Sequence, residues 1–270
     1  MPSHRAPEIK KRLQNGGIVY SAWLTFGSPA IAEVIAGSGF DVLLIDLEHT
    51  SIGLDTLEGV FAAVGRWDPV TIVRVPGLER SLIKRILDIG ADGIIVPMVM
   101  DADEARGVVN AVKYAPLGRR GFGPRRASDY FRNPGYFAAA NDRTFVVPQI
   151  EHIAAVEHAE AIAAVEGIDA ICLGPMDLSV SCGLVGQIDH PTVAGAIDRV
   201  FAAAAGRGLP VCMGRMEPPE VQHRWVAKGA RFVIASDDLV VLRSGLAHDL
   251  EKTRRLLGES GASPASDRLY

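Results

Sequence analysis

Several features are scarce or missing in this sequence, and each absence excludes a class of protein. The chain has no block of basic residues and a formal net charge of −4, so a nucleic-acid partner is not expected. No apolar run approaches the ~20 residues that a helix needs to span a bilayer, and the first residues contain no apolar signal core. These absences predict a cytoplasmic protein with no membrane partner.

Cysteine is also scarce. The three cysteines are Cys172, Cys182 and Cys212. Two of them fall in predicted strands, where cysteine is usually a small core residue. No metal-binding spacing exists among them, and we predict a protein whose thiols stay reduced.

Apolar runs and helical patterns alternate along most of the 270 residues. The predicted strands are residues 18–24, 41–46, 69–74, 93–97, 144–150, 169–173, 209–213 and 231–235. Eight strands alternating with eight helices in about 240 residues is the count of an α/β fold of the (β/α)8 type, a TIM barrel. The competing fold, a doubly wound open sheet, would need a nucleotide-binding loop, and no GxGxxG motif follows the first strand.

We therefore predict a single catalytic (β/α)8 domain over residues 1–258 and a disordered tail at 259–270. The connection at 114–143, between the fourth helix and the fifth strand, is unusually long. Such length is typical of a lid, a substrate loop or a subunit contact.

The distribution of lysine disfavours one type of catalysis. The six lysines are Lys10, Lys11, Lys84, Lys113, Lys228 and Lys252. None of them lies at the C-terminal end of a predicted strand. A lysine that forms a Schiff base would have to lie at the C-terminal end of a strand, so covalent imine chemistry is not expected.

Two predicted strands lead into a carboxylate. Strand 144–150 ends directly before Glu151, and strand 169–173 opens into Gly-Pro-Met-Asp, in which Asp177 is the first charged residue. Because the C-terminal ends of parallel strands share one edge, the two carboxylates can face each other and bind a hard divalent cation such as magnesium or manganese. In the structural alternative, Glu151 caps the next helix and Asp177 caps a turn.

Two other strand ends carry candidate catalytic residues. Strand 41–46 ends at Asp46, and His49 follows three positions later. A carboxylate that holds one ring nitrogen leaves the other free for proton transfer near neutral pH. Arg74 ends strand 69–74, where a buried arginine is costly unless it meets an anion. The structural alternatives are a surface turn for His49 and a salt bridge for Arg74.

These groups together suit proton removal next to a carbonyl. A metal would polarise the oxygen, Arg74 would stabilise the enolate and His49 would move a proton. A 2-oxo acid is the expected ligand, because its carboxylate and keto oxygens can chelate one ion.

Six motifs in matching order and spacing indicate a family. They are DVLLIDLEHT, VRVP, LIKRILDIGADGIIVPMV, KYAPLGRRGFG, QIE and GPMDLS. From about Gly16 to Leu246 the chain resembles the metal-dependent, class II pyruvate aldolases. They include 4-hydroxy-2-oxoheptanedioate aldolase and 2-dehydro-3-deoxyglucarate aldolase and are related to the citrate lyase β subunit. The resemblance implies a lyase that cleaves or forms 4-hydroxy-2-oxo acids, from a 2-oxo acid and an aldehyde, through a metal-bound pyruvate enolate.

The resemblance also implies a role for individual residues. Glu151 and Asp177 would bind Mg²⁺, Mn²⁺ or Co²⁺. His49 would be the acid/base, acting with Asp46, and Arg74 would contact the enolate oxygen.

Further roles implied by the resemblance concern the substrate and the assembly. Gln149 would lie near the substrate, and backbone amides around Met176 and Asp177 would contact its carboxylate. Asp88 matches a position that the family directs into a neighbouring subunit's site. The family is hexameric, with C-terminal helices exchanged between barrels.

Three residues depart from the family's pattern. Leu47 replaces a usual Gly, Met176 a small residue, and His152 a common Thr or Ser. All three are expected to border the pocket, so the acceptor aldehyde stays open. The alternatives are a 2-oxo acid decarboxylase or a citrate-lyase-like carbon–carbon lyase, and, from another class, a non-catalytic binding barrel. The joint presence of the site residues disfavours the last.

Overall fold

The computed structural model describes residues 2–215 and 217–258. Within that part of the chain, eight parallel strands form a closed barrel, in which each strand pairs with the next and the last pairs with the first. The strands are β1 (Val19–Leu24), β2 (Val42–Asp46), β3 (Val70–Arg74), β4 (Gly93–Val96), β5 (Phe145–Ile150), β6 (Ile171–Leu173), β7 (Val211–Met213) and β8 (Ala230–Asp237). The predicted (β/α)8 barrel is confirmed.

Helices alternate with these strands. Over the described residues they are α1 (Ala6–Gln14), α2 (Pro29–Gly37), α3 (Leu54–Val64), α4 (Arg80–Asp88), α5 (Ala102–Val112), α6 (Tyr136–Arg143), α7 (Ile153–Val156), α8 (Ala159–Ala163), α9 (Pro175–Ser181), α10 (Pro191–Ala205), α11 (Pro219–Lys228) and α12 (Asp238–Leu256). A short 3₁₀ helix lies at Arg126–Ser128. None of the described helices is long and apolar enough to cross a bilayer.

The strands are mostly apolar because most of their residues are buried on both faces. In β2 every position is buried. Val42 and Leu44 pack in the barrel interior, whereas Leu43 and Ile45 pack against the surrounding helices. The interior also contains Phe145 and Phe232, whose rings meet edge to face at 6.3 Å.

The helical prediction was incomplete in several places, among them α6, which lies within the long connection 114–143. The sequence predicts one helix over 154–165, and the structure has α7 and α8 instead. The His158 N–H bonds to the Ala155 carbonyl, three residues back, and this closes the first helix. The short helix α9 was not predicted, so Asp177 lies in a helical first turn rather than in a loop.

Helix α1 was also not predicted, and it closes the N-terminal end of the barrel. Its residues Ile9 and Leu13 belong to the barrel interior. Lys10 Nζ donates to the Thr144 carbonyl and to Asp169 Oδ1, at 2.7 and 2.8 Å. This end is therefore sealed by the chain itself, and the opposite mouth is left for a site.

Helix α12 differs from the other long helices because almost all of its surface is exposed. Leu242, Leu246 and Leu250 recur at helical spacing, and Leu246 is 63% exposed. Exchange of this helix between subunits stays a prediction, and the predicted tail at 259–270 lies outside the described residues.

Candidate active site

Arg74 is held in place by Asp46 at the C-terminal mouth of the barrel. The two residues are register partners at the ends of β2 and β3. Arg74 Nε and Nη2 donate to the two carboxylate oxygens of Asp46, both at 2.9 Å, and the guanidinium lies over the Trp23 ring at 4.8 Å. The salt bridge considered from sequence is thus present, and it fixes the planar fork of Arg74 at the mouth.

His49 lies beside Glu48 and not beside Asp46. Asp46 Oδ1 accepts the backbone N–H of Glu48 at 3.0 Å, which tightens the turn after β2. The His49 ring is 63% exposed, and its Nε2 lies 3.6 Å from Glu48 Oε2. Glu48 also pairs with Arg74 Nε at 3.2 Å. The sequence paired His49 with Asp46, whereas in the structure His49 lies beside Glu48 and Asp46 pairs with Arg74. The catalytic roles of His49 and Asp46 stay predictions.

Glu151 is buried at the end of β5 and oriented by two donors. Its Oε1 accepts the backbone N–H of Met98 at 2.8 Å, and its Oε2 accepts the side-chain amide of Gln149. Met98 has φ +53°, an uncommon conformation for this residue type, and the constraint aims its N–H at the carboxylate. A Cβ on Gly174 would lie 2.5 Å from Glu151 Oε2, so the absence of a side chain there makes room for the acid.

The second carboxylate, Asp177, lies in the first turn of α9 and is exposed. Burial raises the pKa of Glu151, and the negative charge of Asp177 raises that pKa further. The two acids are thus near enough to repel each other, and a cation between them would remove this repulsion.

The residues present fit a hard divalent cation. In the described ranges, 2–215 and 217–258, no group of three or more His, Cys, Asp or Glu side chains is arranged to hold a metal. A site made by Glu151 and Asp177 would leave its other positions to water and substrate, as magnesium sites commonly do. The buried Oε1 of Gln149 has no hydrogen-bond partner in the same ranges, which is consistent with a missing ligand or water nearby.

A cavity of about 220 Å³ opens between Arg74 and the ends of β6, β7 and β8. Its lining residues are Trp23, Thr25, Asp46, Arg74, Met176, Gly214, Arg215, Asp237, Leu239 and Val240. Predicted residues Asp46, Arg74 and Met176 therefore share one cavity. Of the other two departures from the family pattern, Leu47 is buried and His152 caps α7 by accepting the Ala154 N–H at Nδ1.

Asp88 is separate from these residues. It ends α4, near the N-terminal end of the barrel, because the helices run antiparallel to the strands. Its Oδ1 accepts from Arg120 Nη2 at 2.6 Å, within the long connection 114–143. Asp88 therefore lies away from the mouth of its own chain. The predicted role in a neighbouring subunit's site requires this position.

Sequence reasoning missed several residues of the mouth. Glu48 stands inside the Asp-Leu-Glu-His motif, and its acidity next to His49 was an available signal. Met98 contributes a backbone N–H and Gly174 contributes space, neither of which a side-chain pattern shows. Arg215 lies just after β7 and Asp237 ends β8, and no role was predicted for either although both line the cavity.

The fold and these residues define a barrel enzyme with paired carboxylates and an arginine at its mouth. The chain belongs to the HpcH/HpaI aldolase/citrate lyase family, whose model matches residues 20–243. This membership confirms the family indicated by the six motifs, and the chain is an aldolase-type lyase.

Curated relatives and a solved structure support the same family. The chain is 38% identical to a 4-hydroxy-2-oxovalerate aldolase of Novosphingobium aromaticivorans over 257 residues, which is 94% of this chain and 97% of that protein. It is 36% identical to a 4-hydroxy-2-oxo-heptane-1,7-dioate aldolase of Salmonella arizonae, covering 94% and 98% of the two chains. A HpcH/HpaI aldolase/citrate lyase family protein from Burkholderia cenocepacia superposes with a TM-score of 0.87 at 31% identity, covering 92% and 99%.

Proposed function

We propose that this aldolase cleaves 4-hydroxy-2-oxo acids into pyruvate and an aldehyde and forms them from the same two compounds. We also propose that it needs a divalent cation. The observation that carries the proposal is Glu151, a buried carboxylate oriented by Met98 and Gln149 and close to Asp177. The relatives supply the substrate class, because they are aldolases of 4-hydroxy-2-oxo acids.

Each residue of the mouth would have a separate role in the reaction. Glu151 and Asp177 would hold Mg²⁺, Mn²⁺ or Co²⁺, and the bound ion supplies a Lewis acid for a keto oxygen. Arg74, fixed by Asp46, would offset the negative charge that develops on that oxygen. Backbone N–H groups of Met176 and Asp177 lie in the first turn of α9, where they have no partner within the helix, and would bind the substrate's carboxylate.

His49 would move the proton. Its ring is exposed at the mouth, and its Nε2 lies 3.6 Å from the Glu48 carboxylate. In cleavage, a base must take the proton of the 4-hydroxyl group, and in the reverse direction a base must take one from the pyruvate methyl carbon. His49 is the proposed base.

Metal removal tests the proposal directly. Exhaustive chelation should abolish both cleavage of 4-hydroxy-2-oxo acids and exchange of pyruvate methyl protons in heavy water. Adding magnesium, manganese or cobalt should restore both. Full activity in chelator, with no metal found by elemental analysis, would show that the carboxylate pair serves another purpose.

We propose that the working form is an oligomer, a hexamer by resemblance to the family. The exposed apolar side chains of α12 support this, because Leu242, Leu246 and Leu250 would be buried on a partner. Asp88 would then reach a neighbour's site together with the loop that contains Arg120. Sedimentation of a fully active monomer would contradict the proposal. A cytoplasmic location stays a prediction.

A further inference from the structure

The cavity at the mouth contains a second arginine, Arg215, which lies after β7. Arg215 and Arg74 both line this cavity of about 220 Å³. Arg74 stands at the end of β3, where the function proposed above requires the 2-oxo acid. Arg215 stands across the cavity, next to Met176 and the ends of β6 and β8, where that function leaves room for the acceptor aldehyde.

The two arginines differ in how well their donors are satisfied. Arg74 places Nε and Nη2 on the two oxygens of the Asp46 carboxylate. Arg215 places Nε 3.2 Å from Glu217 Oε1, but its Nη1 lies 3.0 Å from the sulfur of Met176. A thioether is a weak acceptor. A guanidinium that is only 25% exposed and rests on sulfur can gain much from a stronger acceptor.

Glu217 positions Arg215 without occupying its outer edge. Glu217 is nearly buried, and its backbone carbonyl accepts from the side chain of Gln222, which also bonds to the carbonyl of Ile234 in β8. The backbone of Glu217 is therefore tied to β8 through Gln222, and its carboxylate pairs with Arg215. Glu217 thus contacts Arg215 at Nε, while Nη1 lies against Met176, a residue that also lines the cavity.

The other charges of the cavity permit an anion at this place. Asp46 is already neutralised by Arg74. Asp237 caps α12 by accepting the Val240 N–H at 3.1 Å, so part of its negative charge is offset by the positive end of a 19-residue helix. The two lining residues beyond the cap, Leu239 and Val240, are apolar. An acceptor with an apolar middle and a charged end would match this lining.

From this arrangement we infer that Arg215 binds the distal carboxylate of an acidic aldehyde, and so selects 4-hydroxy-2-oxo dicarboxylic acids over neutral-tailed ones. The inference rests on the proposed aldol function and adds a specificity residue to it. Its planar fork suits bidentate binding of a carboxylate. Met176 would move aside when the carboxylate replaces its sulfur as the acceptor.

The test compares two aldehydes of the same length in condensation with pyruvate. Succinic semialdehyde ends in a carboxylate, and butanal ends in a methyl group. The wild-type, metal-loaded protein should favour succinic semialdehyde in kcat/KM by roughly 10- to 100-fold, which is the range of a charge-assisted hydrogen bond. Arg215→Gln should remove this preference, mainly through a higher KM for succinic semialdehyde, and should change the butanal reaction much less.

Two controls keep the result specific. Arg207→Gln removes the same charge from an exposed position after α10 and should preserve the preference. Arg215→Lys keeps the charge without the fork and should restore only part of it. If Arg215→Gln lowers both aldehydes by one factor, or if the wild-type protein does not favour the carboxylate, the inference is wrong. An Arg215-dependent preference for glyceraldehyde 3-phosphate over glyceraldehyde, without one for succinic semialdehyde, would overturn the assignment to a carboxylate.

Failure of the inference and failure of the proposed function give different results. Exchange of pyruvate methyl protons needs no aldehyde, so it should proceed in the wild-type protein and in Arg215→Gln. Exchange and butanal condensation without selectivity would reject the role of Arg215 and leave the aldolase intact. Absence of both reactions in the metal-loaded wild-type protein would reject the proposed function, and the inference with it.

Discussion

The two ends of the barrel bury similar charged groups but differ in how completely those groups are paired. At the closed N-terminal end, Asp92 accepts the backbone N–H groups of Ser3 and Thr71 and the Thr71 hydroxyl, between 2.7 and 3.0 Å. Lys10 and Lys113 both donate to the Thr144 carbonyl and both pair with Asp169. Each of these charges has several partners within the chain.

At the open mouth the partners are incomplete. Gln149 has a buried oxygen with no hydrogen-bond partner in the described ranges, Glu151 faces a second acid, and Arg215 rests on a sulfur atom. Unsatisfied buried groups are costly, so they persist where a ligand completes them. Unpaired buried atoms also occur elsewhere, such as Arg143 Nε near the closed end, so the mouth is distinguished by combining such an atom with two neighbouring acids. Changes at the mouth should reduce activity, and changes at the closed end should reduce stability.

The largest effect is expected for His49→Ala. Loss of a general base typically lowers the rate about 10²- to 10⁴-fold, and cleavage of the 4-hydroxy-2-oxo acid should fall by this factor. Thermal stability should hardly change, because the ring is mostly exposed. The matched control is His223→Ala, an exposed histidine on α11. Exchange of pyruvate methyl protons assigns the step: normal exchange with lost cleavage restricts His49 to the hydroxyl proton, and normal rates of both would remove it from the mechanism.

The next effect is expected for Glu151→Gln. The amide cannot supply the negative charge that a divalent ion requires, so metal affinity and kcat/KM should each fall by roughly 100-fold or more. Calorimetric metal titration and cleavage assays would measure the two. High metal concentration should restore part of the activity.

The control is Glu157→Gln, which removes an exposed carboxylate paired with Arg199. It should leave metal affinity and kcat/KM as they are. Equal metal affinity in wild type and Glu151→Gln would contradict the assignment of Glu151 as a ligand.

A smaller effect is expected for Gly174→Ala. The backbone of Gly174 has φ −93°, which alanine adopts without strain, so the change acts through contact alone. The new Cβ would lie 2.5 Å from Glu151 Oε2 and 2.8 Å from Glu151 Cβ, and would displace the carboxylate. Metal affinity should fall by about 10- to 100-fold, as when a supporting contact of a ligand is lost.

Gly53→Ala is the matched control, because a Cβ there has no atom within 4 Å and Gly53 likewise precedes a helix. It should bind metal like the wild type. Equal metal affinity for both variants would mean that the carboxylate can shift without loss.

The comparison also shows what the sequence could and could not reveal. Alternating apolar runs predict the barrel and the approximate bounds of its strands. Glu151 and Asp177 were chosen as candidate site residues because they come after strands. A salt bridge of Arg74 to an acidic strand end was considered, but its partner Asp46 was not predicted, because two strand ends can pair in several ways and register decides among them. The backbone N–H of Met98 and the space at Gly174 depend on chain geometry rather than on side-chain chemistry. Helix α1 was missed because its role, closing the barrel end, is a tertiary one.

The smallest effect, and the test of the closed end, is expected for Lys113→Met. Lys113 donates to the carbonyls of Asn141 and Thr144, and the latter keeps Lys10 as a donor in the variant. The free energy of unfolding should fall by about 1–3 kcal/mol at pH 7, and kcat/KM should stay at the wild-type value. Urea denaturation and the cleavage assay would measure these quantities.

The pH dependence of that difference gives a sharper test. Burial lowers the pKa of Lys113 to about 8, from 10.5 in the unfolded chain, although Asp169 opposes the shift. Between these two values the unfolded state binds more protons than the folded state, so this group makes stability rise with pH. Wild type should therefore gain stability relative to Lys113→Met from about pH 8 toward 10.5, and the difference should be constant below pH 8. If the stability difference shrinks across that pH range, the folded protein favours the charged amine. The partners of Lys113 at the closed end would then stabilise its charge more than burial destabilises it.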